Sequence, residues 1–332
     1  MLVVDEAHYV KNPYAKRTKR VAALANRTDR VLFMTGTPLE NRVEEMTNII
    51  TMLRPDIASR LSLIRAGGNA PQFRAAVCEV YLRRKRDEVL SQLPDKQESV
   101  EWCLLGLKEN ALYEQTVMDG NWQQMRQLSW NVDDLEDSCK ACRLDELIAD
   151  ATEDGRKIIV YSFYRHTLNA ICERYADRII GPLNGSVSPA ERQRMVDEFN
   201  AAPAGTILAA QVQAGGTGLN IQSASVIVFC EPQIKPSIED QAISRCYRMG
   251  QTRNVLVFRL LCAGTVDECI LKMLERKRDI FNTYADRSLA ADKIHELDGL
   301  DEHACKEIIE AEIARITREH DARGKSLLVN SL

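Results

Sequence analysis

The residues of this chain best suited to chemistry stand in four short groups. Asp5-Glu6-Ala7-His8 places two carboxylates side by side directly after an apolar stretch. An aspartate so placed can hold a water-coordinated Mg2+, and the neighbouring glutamate can orient and deprotonate an attacking water. Thr35-Gly36-Thr37-Pro38 follows a second apolar stretch. Further on come Ala214-Gly-Gly-Thr-Gly-Leu-Asn220 and Gln241-Ala-Ile-Ser-Arg245-Cys-Tyr-Arg248-Met-Gly-Gln251. Taken singly, each group has a plainer use. Paired acids cap a helix, glycine-rich segments make tight turns, and surface arginines pair with carboxylates. All four occur in one chain, in this order, each at an expected strand end.

The elements that must position these groups are legible as an alternation of apolar runs and helical spacing. Leu2-Val3-Val4 and Val31 to Met34 read as buried strands, with a polar helix from about Ala15 to Asn26 between them. From about 40 to 150 the pattern turns helical, interrupted by a loop at Arg65–Pro71. Strands then return at Lys157–Phe163, Arg178–Ile180, Thr206–Ala210, Ser225–Cys230 and Asn254–Leu261, with helices at Thr167–Ala176 and Pro189–Asn200. This predicts one complete doubly wound α/β domain over 145–265. Residues 266–332 read as helices, with Ile270, Leu271, Leu274 and then Ile308, Ile309, Ile313, Ile316 at helical spacing. In open α/β sheets ligands bind at the carboxyl ends of the strands, which is where Asp5 and Glu6 fall.

Composition narrows the class. With 45 % hydrophobic and 28 % charged residues the chain has the balance of a soluble globular protein, and its 332 residues suffice for two domains or for one domain with appendages. No apolar run approaches the roughly 20 residues of a membrane span, and acids interrupt the start before a signal peptide could form. A cytoplasmic location is expected. The ten cysteines follow no framework spacing, and Cys78, Cys103, Cys172, Cys230 and Cys262 sit in apolar stretches, as reduced, packed thiols do. Cys139 and Cys142 form one CxxC without a second ligand pair, and read as two thiols one turn apart on a helix. The net charge of −4 does not advertise nucleic acid. Local basic faces do exist: Lys11, Lys16, Arg17, Lys19, Arg20, Arg27 and Arg30 stand against the single acid Asp29, and 83–86 reads Arg-Arg-Lys-Arg.

The four groups together resemble the Swi/Snf branch of the superfamily-two helicase-like ATPases, in a bacterial, DEAD/DEAH-box flavour. The resemblance runs from residue 1 to about 285. It takes in motif II at Asp5–His8 with Lys11-Asn12-Pro13, motif III at Thr35–Pro38 with Leu39-Glu40-Asn41, and Tyr-Leu-Arg-Arg at 81–84. It continues through motif IV at Val160–Phe163, Leu-Asn-Gly-Ser at 183–186 with Arg192 and Phe199-Asn200, motif V at Ala214–Asn220, and motif VI at Gln241–Gln251. Cys-Glu-Pro-Gln-Ile-Lys-Pro at 230–236 stands where most relatives carry Trp-Asn-Pro.

The resemblance implies a RecA-like doubly wound parallel sheet in two lobes, with ATP between them and duplex DNA across both. Residues 1–60 would be the remnant of the first lobe, 61–144 a helical linker, 145–265 the complete second lobe and 266–332 C-terminal helices. Asp5 would hold Mg2+ through water and Glu6 would be the catalytic base. His8, Thr35, Gly36 and Thr37 would couple the nucleotide site to DNA. Arg245 and Arg248 would be arginine fingers, with Gln241, Gly216 and Gly218 at the ATP cleft and Thr217 and Asn220 at DNA or cleft. Inserted guanidinium groups stabilise the charge that spreads over a phosphoryl transition state.

The family also uses a phosphate loop, G-x-x-x-x-G-K-[ST], ahead of motif II. Met1-Leu2 leaves no place for it. Gly324-Lys325-Ser326 does not supply it, since Glu319 stands at the leading glycine and the context is a charged helix. Three readings follow: part of a full motor, one half of a split enzyme completed by a chain carrying the loop, or a non-catalytic DNA- or protein-binding module. The first is the expectation.

Overall fold

The computed structural model describes residues 1–35, 43–67, 75–82, 93–215, 219–275 and 302–329. They fall into two compact units, one within Met1–Val89 and one running Leu90–Leu274 and taking up the C-terminal helix.

In the front unit, β1 (Leu2–Val4) and β2 (Val31–Phe33) pair in parallel, Leu2 opposite Val31 and Val4 opposite Phe33. Helix α1 (Lys16–Ala25) makes the crossover that parallel strands require. Val3 and Leu32 remain 48 % and 45 % exposed, so this pair has little core of its own among the described residues. A separate apolar cluster joins α2 (Val43–Leu53) to α3 (Pro55–Gly67) through Ile50, Ile57, Ala58 and Leu61, with Ala76 and Val77. Helix α3 begins on proline, whose fixed φ suits a first turn. It runs through Gly67, past the expected start of a loop at Arg65, and 68–74 lie outside the described residues.

The rear unit is a six-stranded, all-parallel sheet in the order β3-β8-β7-β4-β6-β5. Its strands are β3 (Lys96–Cys103), β4 (Lys157–Ser162), β5 (Ile179–Leu183), β6 (Ile207–Gln211), β7 (Ala224–Phe229) and β8 (Val255–Cys262). Its helices include α4 (Leu107–Met118), α5 (Cys139–Glu153), α6 (Arg165–Arg174), α7 (Pro189–Ala201), α8 (Pro236–Cys246) and α9 (Glu302–Val329). Alternate residues of β4 feed opposite faces. Ile159 and Tyr161 pack with Val196 and Phe199 of α7 and Ala242 and Ile243 of α8. Ile158 and Val160 pack with Leu144, Leu147 and Ile148 of α5 and Ile171 of α6. Helices thus cover both faces of a buried parallel sheet, as the apolar runs of β4 and β7 require.

Five of these strands fall where the sequence places them. The sixth corrects the helical reading of 40–150. Lys96–Cys103 is a strand, paired along its whole length with β8 from Lys96–Val255 to Cys103–Cys262. It is an edge strand, and its charged residues hide it from a search for apolar runs. Glu98 pairs with Lys96 and Arg259, and Glu101 with Arg143.

Helix α9 packs Ile308, Ile309, Ile313 and Ile316 around Tyr113 and Val117 of α4. The Tyr113 hydroxyl donates to Glu312 (2.9 Å) and accepts the Val266 N–H (2.8 Å). Gly324-Lys325-Ser326 lies within α9, so it forms no phosphate loop. No helix among the described residues is long and apolar enough to cross a membrane.

Candidate functional site

The chain leaves β1 at Val4 and turns sharply at Glu6, whose backbone is left-handed (φ 49°, ψ 47°). A residue with a Cβ pays of order 1 kcal/mol for that conformation, and such outliers collect at functional sites. The Asp5 carboxylate holds the turn by accepting the Glu6 N–H (2.8 Å). A short 3-10 helix, Ala7–Val10, follows, and the Ala7 N–H bonds to the Met34 carbonyl at the end of β2 (2.9 Å). The ends of the two strands are therefore tied together where the candidate residues sit.

Buried His8 lies between the two motifs. Its Nδ1 is 3.2 Å from Glu6 Oε2 and 3.2 Å from Thr35 Oγ1. With a proton on Nδ1 the ring donates to one of these oxygens, and without it the ring accepts the threonine hydroxyl. Glu6 Oε2 is shielded from solvent and, apart from this contact with His8, has no polar partner among the described residues. Asp5 is exposed beside it. No group of three ligand-type residues that could hold a metal occurs among the described residues. One exposed carboxylate with a shielded neighbour fits Mg2+, which takes one or two protein carboxylates and fills its shell with water and phosphate oxygens. Gly36 and Thr37 lie outside the described residues.

In the rear unit, Gln241 and Arg245 stand one turn apart on α8, both half-buried. Arg248 follows the helix end, half-buried, with no ion pair or side-chain hydrogen bond among the described residues. The buried Gln251 amide fixes this segment. It donates to the carbonyls of Gln222 (3.0 Å), Ala224 (2.9 Å) and Cys246 (3.2 Å), while its oxygen accepts the Arg253 N–H. Asn220 is exposed between buried Leu219 and Ile221, and its carbonyl accepts from Asn200 (3.2 Å). Gly216, Thr217 and Gly218 lie outside the described residues.

The structure adds residues that the motifs do not single out. Glu231, fully buried, accepts the Phe163 N–H, the Ser162 hydroxyl (3.0 Å) and the Gln233 amide (3.2 Å), which fixes the turn at the end of β4. Burial pushes its carboxyl above the usual carboxylate range, against the pull of the Phe163 N–H, Arg126 and Lys140. Arg126 donates to the Pro232 carbonyl (3.0 Å) and lies over the Tyr164 ring. Lys140 reaches Asp267 (2.7 Å) and the Cys230 carbonyl (3.2 Å) in the interior. The 230–236 departure from Trp-Asn-Pro is the one sequence signal that points toward this network.

Residues 1–141 match the family described as SNF2-related domain, and residues 139–250 the family described as helicase conserved C-terminal domain. A SWI/SNF-related matrix-associated actin-dependent regulator of chromatin, subfamily A member 1, from Mus musculus is 27 % identical, over 83 % of this chain and 31 % of that protein. A putative ATP-dependent helicase/translocase, YwqA, from Bacillus subtilis is 27 % identical, over 84 % of this chain and 35 % of that protein. The chain thus spans about a third of the length of these relatives. The fold is similar to that of the Sulfolobus solfataricus SWI2/SNF2 ATPase core in complex with dsDNA, with a TM-score of 0.50 and 24 % identity over 93 % of this chain and 72 % of that one.

Proposed function

The chain belongs to the Swi/Snf branch of the superfamily-two helicase-like ATPases, and on that premise we propose that it carries the catalytic acids and arginines of a DNA-dependent ATPase that translocates on duplex DNA. The observation that carries this reading is the turn after β1, where Glu6, His8 and Thr35 converge through His8 Nδ1. In this reading Glu6 orients the attacking water and takes its proton. His8 passes the state of that carboxylate to Thr35, and so to the segment that follows β2. Asp5 would hold Mg2+ through water, and that ion would neutralise charge on the ATP phosphates. Arg245 and Arg248 stabilise the transferring phosphoryl group, with Gln241 beside them on α8. The acids lie in the front unit and the arginines in the rear unit.

The Sulfolobus solfataricus core is in complex with dsDNA, and family membership extends duplex DNA to this chain as a proposal. The basic face of α1 supports it. Lys16, Arg17, Lys19 and Arg20 are all exposed in its first turns, without an acid there. Cations at a helix N-terminus oppose the macrodipole, so helix stability does not account for them. Phosphate binding does. Thr217 and Asn220 are assigned to DNA contacts of the rear unit, and a cytoplasmic, DNA-associated location is part of this reading.

The test uses the chain together with a segment bearing the phosphate loop, in cis or as a separate chain. Glu6→Gln is expected to abolish DNA-stimulated ATP hydrolysis and leave ATP binding intact, because the base acts in the chemical step. Hydrolysis within a few-fold of the parent would remove Glu6 from its role.

A further inference from the structure

Three cysteines that are remote in sequence meet in the rear unit. Cys103 and Cys262 are direct partners at the ends of the neighbouring parallel strands β3 and β8. Cys139 is the first residue of α5, with its Sγ 3.9 Å from Cys262 Sγ. All three are free thiols. Cys103 and Cys262 are buried and Cys139 is half-buried. The spacing of the sequence hides this group, since its members lie on three separate elements.

The surroundings differentiate the three sulfurs. Cys139 sits at the N-terminus of a fifteen-residue helix, where the backbone dipole favours a thiolate. The Ser138 side chain caps that helix, and the buried Glu109 carboxylate accepts the Cys139 N–H (3.1 Å), so the turn is held firmly. The Ser129 hydroxyl lies 3.5 Å from Cys139 Sγ. Hydrogen bonds from the Cys103 and Cys262 thiols hold Cys139 well below the ordinary thiol range, with burial opposing them. The same contacts, with burial, push Cys103 and Cys262 up. One sulfur is thus disposed to be a thiolate and two to remain thiols beside it.

We propose that this cluster is a peroxide-reactive site in which Cys139 attacks and Cys262 resolves. The Cys139 thiolate attacks one oxygen of hydrogen peroxide or an organic hydroperoxide. An S–O bond forms, the O–O bond breaks, and the leaving oxygen departs as water or an alcohol after taking a proton. Cys139 is oxidised by two electrons to the sulfenic acid, and the peroxide is reduced. The Cys262 sulfur, giving up its proton, then attacks the sulfenic sulfur. An S–S bond forms, the S–O bond breaks, and hydroxide leaves with that proton as water. Closing the 3.9 Å gap to a disulfide of about 2.05 Å is a rotation and a small shift, because both residues are already packed face to face. The product links the start of α5 to the end of β8.

The test is peptide mapping of the full chain after hydrogen peroxide treatment, with alkylation and no reductant. The expected product is a Cys139–Cys262 linked peptide, reversed by dithiothreitol, formed at least about tenfold faster than oxidation of exposed Cys78 and Cys142. In Cys262→Ser, dimedone is expected to trap a sulfenic acid on Cys139, or a link to Cys103 to appear. In Cys139→Ser, Cys103 and Cys262 stay reduced. Oxidation of Cys139 no faster than that of Cys142 in the unmutated chain overturns the proposal whatever the variants do. So does a Cys262 link that persists without Cys139.

Discussion

Replacing Lys140 by methionine is expected to destabilise the rear unit far more than any surface charge change. The Lys140 side chain is 2 % exposed and that of its partner Asp267 3 %, at 2.7 Å. Asp267 Oδ2 also accepts the Cys262 N–H (3.0 Å), whereas the buried Oδ1 has no partner among the described residues. Methionine fills the lysine's space but leaves the carboxylate with a single backbone donor. Breaking a buried pair in this way costs about 3–5 kcal/mol, a large share of a stability of about 5–15 kcal/mol. For a unit of this size that is a fall of roughly 6–20 °C in Tm. All three tryptophans lie in the rear unit, and Trp130, 1 % exposed, donates to the same Cys230 carbonyl as Lys140. Tryptophan fluorescence during urea or thermal unfolding therefore reads the affected unit. In Lys140→Met with Asp267→Leu both charges are gone, and the double variant is expected to recover at least about 2 kcal/mol of the single loss. Burial lowers the Lys140 pKa, but the Asp267 carboxylate outweighs it and raises it above the ordinary lysine value of 10.5. A raised folded pKa gives stability that is whole below the unfolded value and lost only above it. The Lys140 charge itself therefore adds no pH dependence to that deficit between pH 6 and 9. A single-variant cost under about 1 kcal/mol, or a double variant equal to the sum of singles, would refute the pair's role.

Glu231 gives a pH signature of opposite sense. Its folded carboxyl is raised above the usual 4.5, so folding binds its proton more tightly, and stability declines as pH rises from 4.5 through the folded value. The difference between parent and Glu231→Gln urea midpoints, measured from pH 4 to 8, is expected to show that decline, and parallel curves would dismiss it. Arg248→Ala, with the phosphate-loop segment present, is expected to lower kcat by roughly 10³-fold or more, as an arginine finger does; near-normal turnover would return it to a structural role. Lys16→Glu with Lys19→Glu is expected to improve the α1 N-terminus yet weaken DNA binding and flatten its salt dependence by about two counterions, and an unchanged slope would take α1 off the DNA. Amide hydrogen exchange is expected to protect Ile158–Ser162 of β4 at least about 10²-fold more than β1, because these residues are fully buried whereas Val3 is half exposed, and equal protection would show that the front strands have more support than their burial indicates.

What was legible in the sequence followed from physical exposure to a single rule. Strands β4, β6 and β7 are buried on both faces through their centres, so Ile158–Tyr161, Ile207–Ala210 and Val226–Phe229 are apolar without interruption and announce themselves. The turn residues Asp5, Glu6 and His8 are legible because the apolar strand before them fixes their place at a strand end. Strand β3 was not legible, since an edge needs only one neighbour and tolerates Lys96, Glu98 and Glu101. The left-handed backbone of Glu6 was equally hidden, because glycine is what that conformation ordinarily requires.

The buried polar residues were hidden for a different reason. Lys140 and Glu231 look like solvated charges in any window of sequence, and only long-range contacts at separations of 127 and 69 residues show otherwise. Apolar side chains could fill the same volume at lower cost, so stability alone does not explain charged residues there. What the charges do is geometric. Glu231 pins the backbone of Phe163 at the end of β4, Lys140 pins the Cys230 carbonyl one residue away, and Arg126 pins Pro232. An apolar core would deprive the Phe163 N–H and the Pro232 carbonyl of these partners and leave the Cys230 carbonyl with Trp130 alone. The network therefore holds in one geometry the strand ends where an open parallel sheet binds its ligands. A Glu231→Leu variant that folds as stably as the parent but loses DNA-stimulated turnover, in the presence of the phosphate-loop segment, is the outcome this argument requires. A variant equally stable and equally active would show that the turn keeps its shape without the carboxylate.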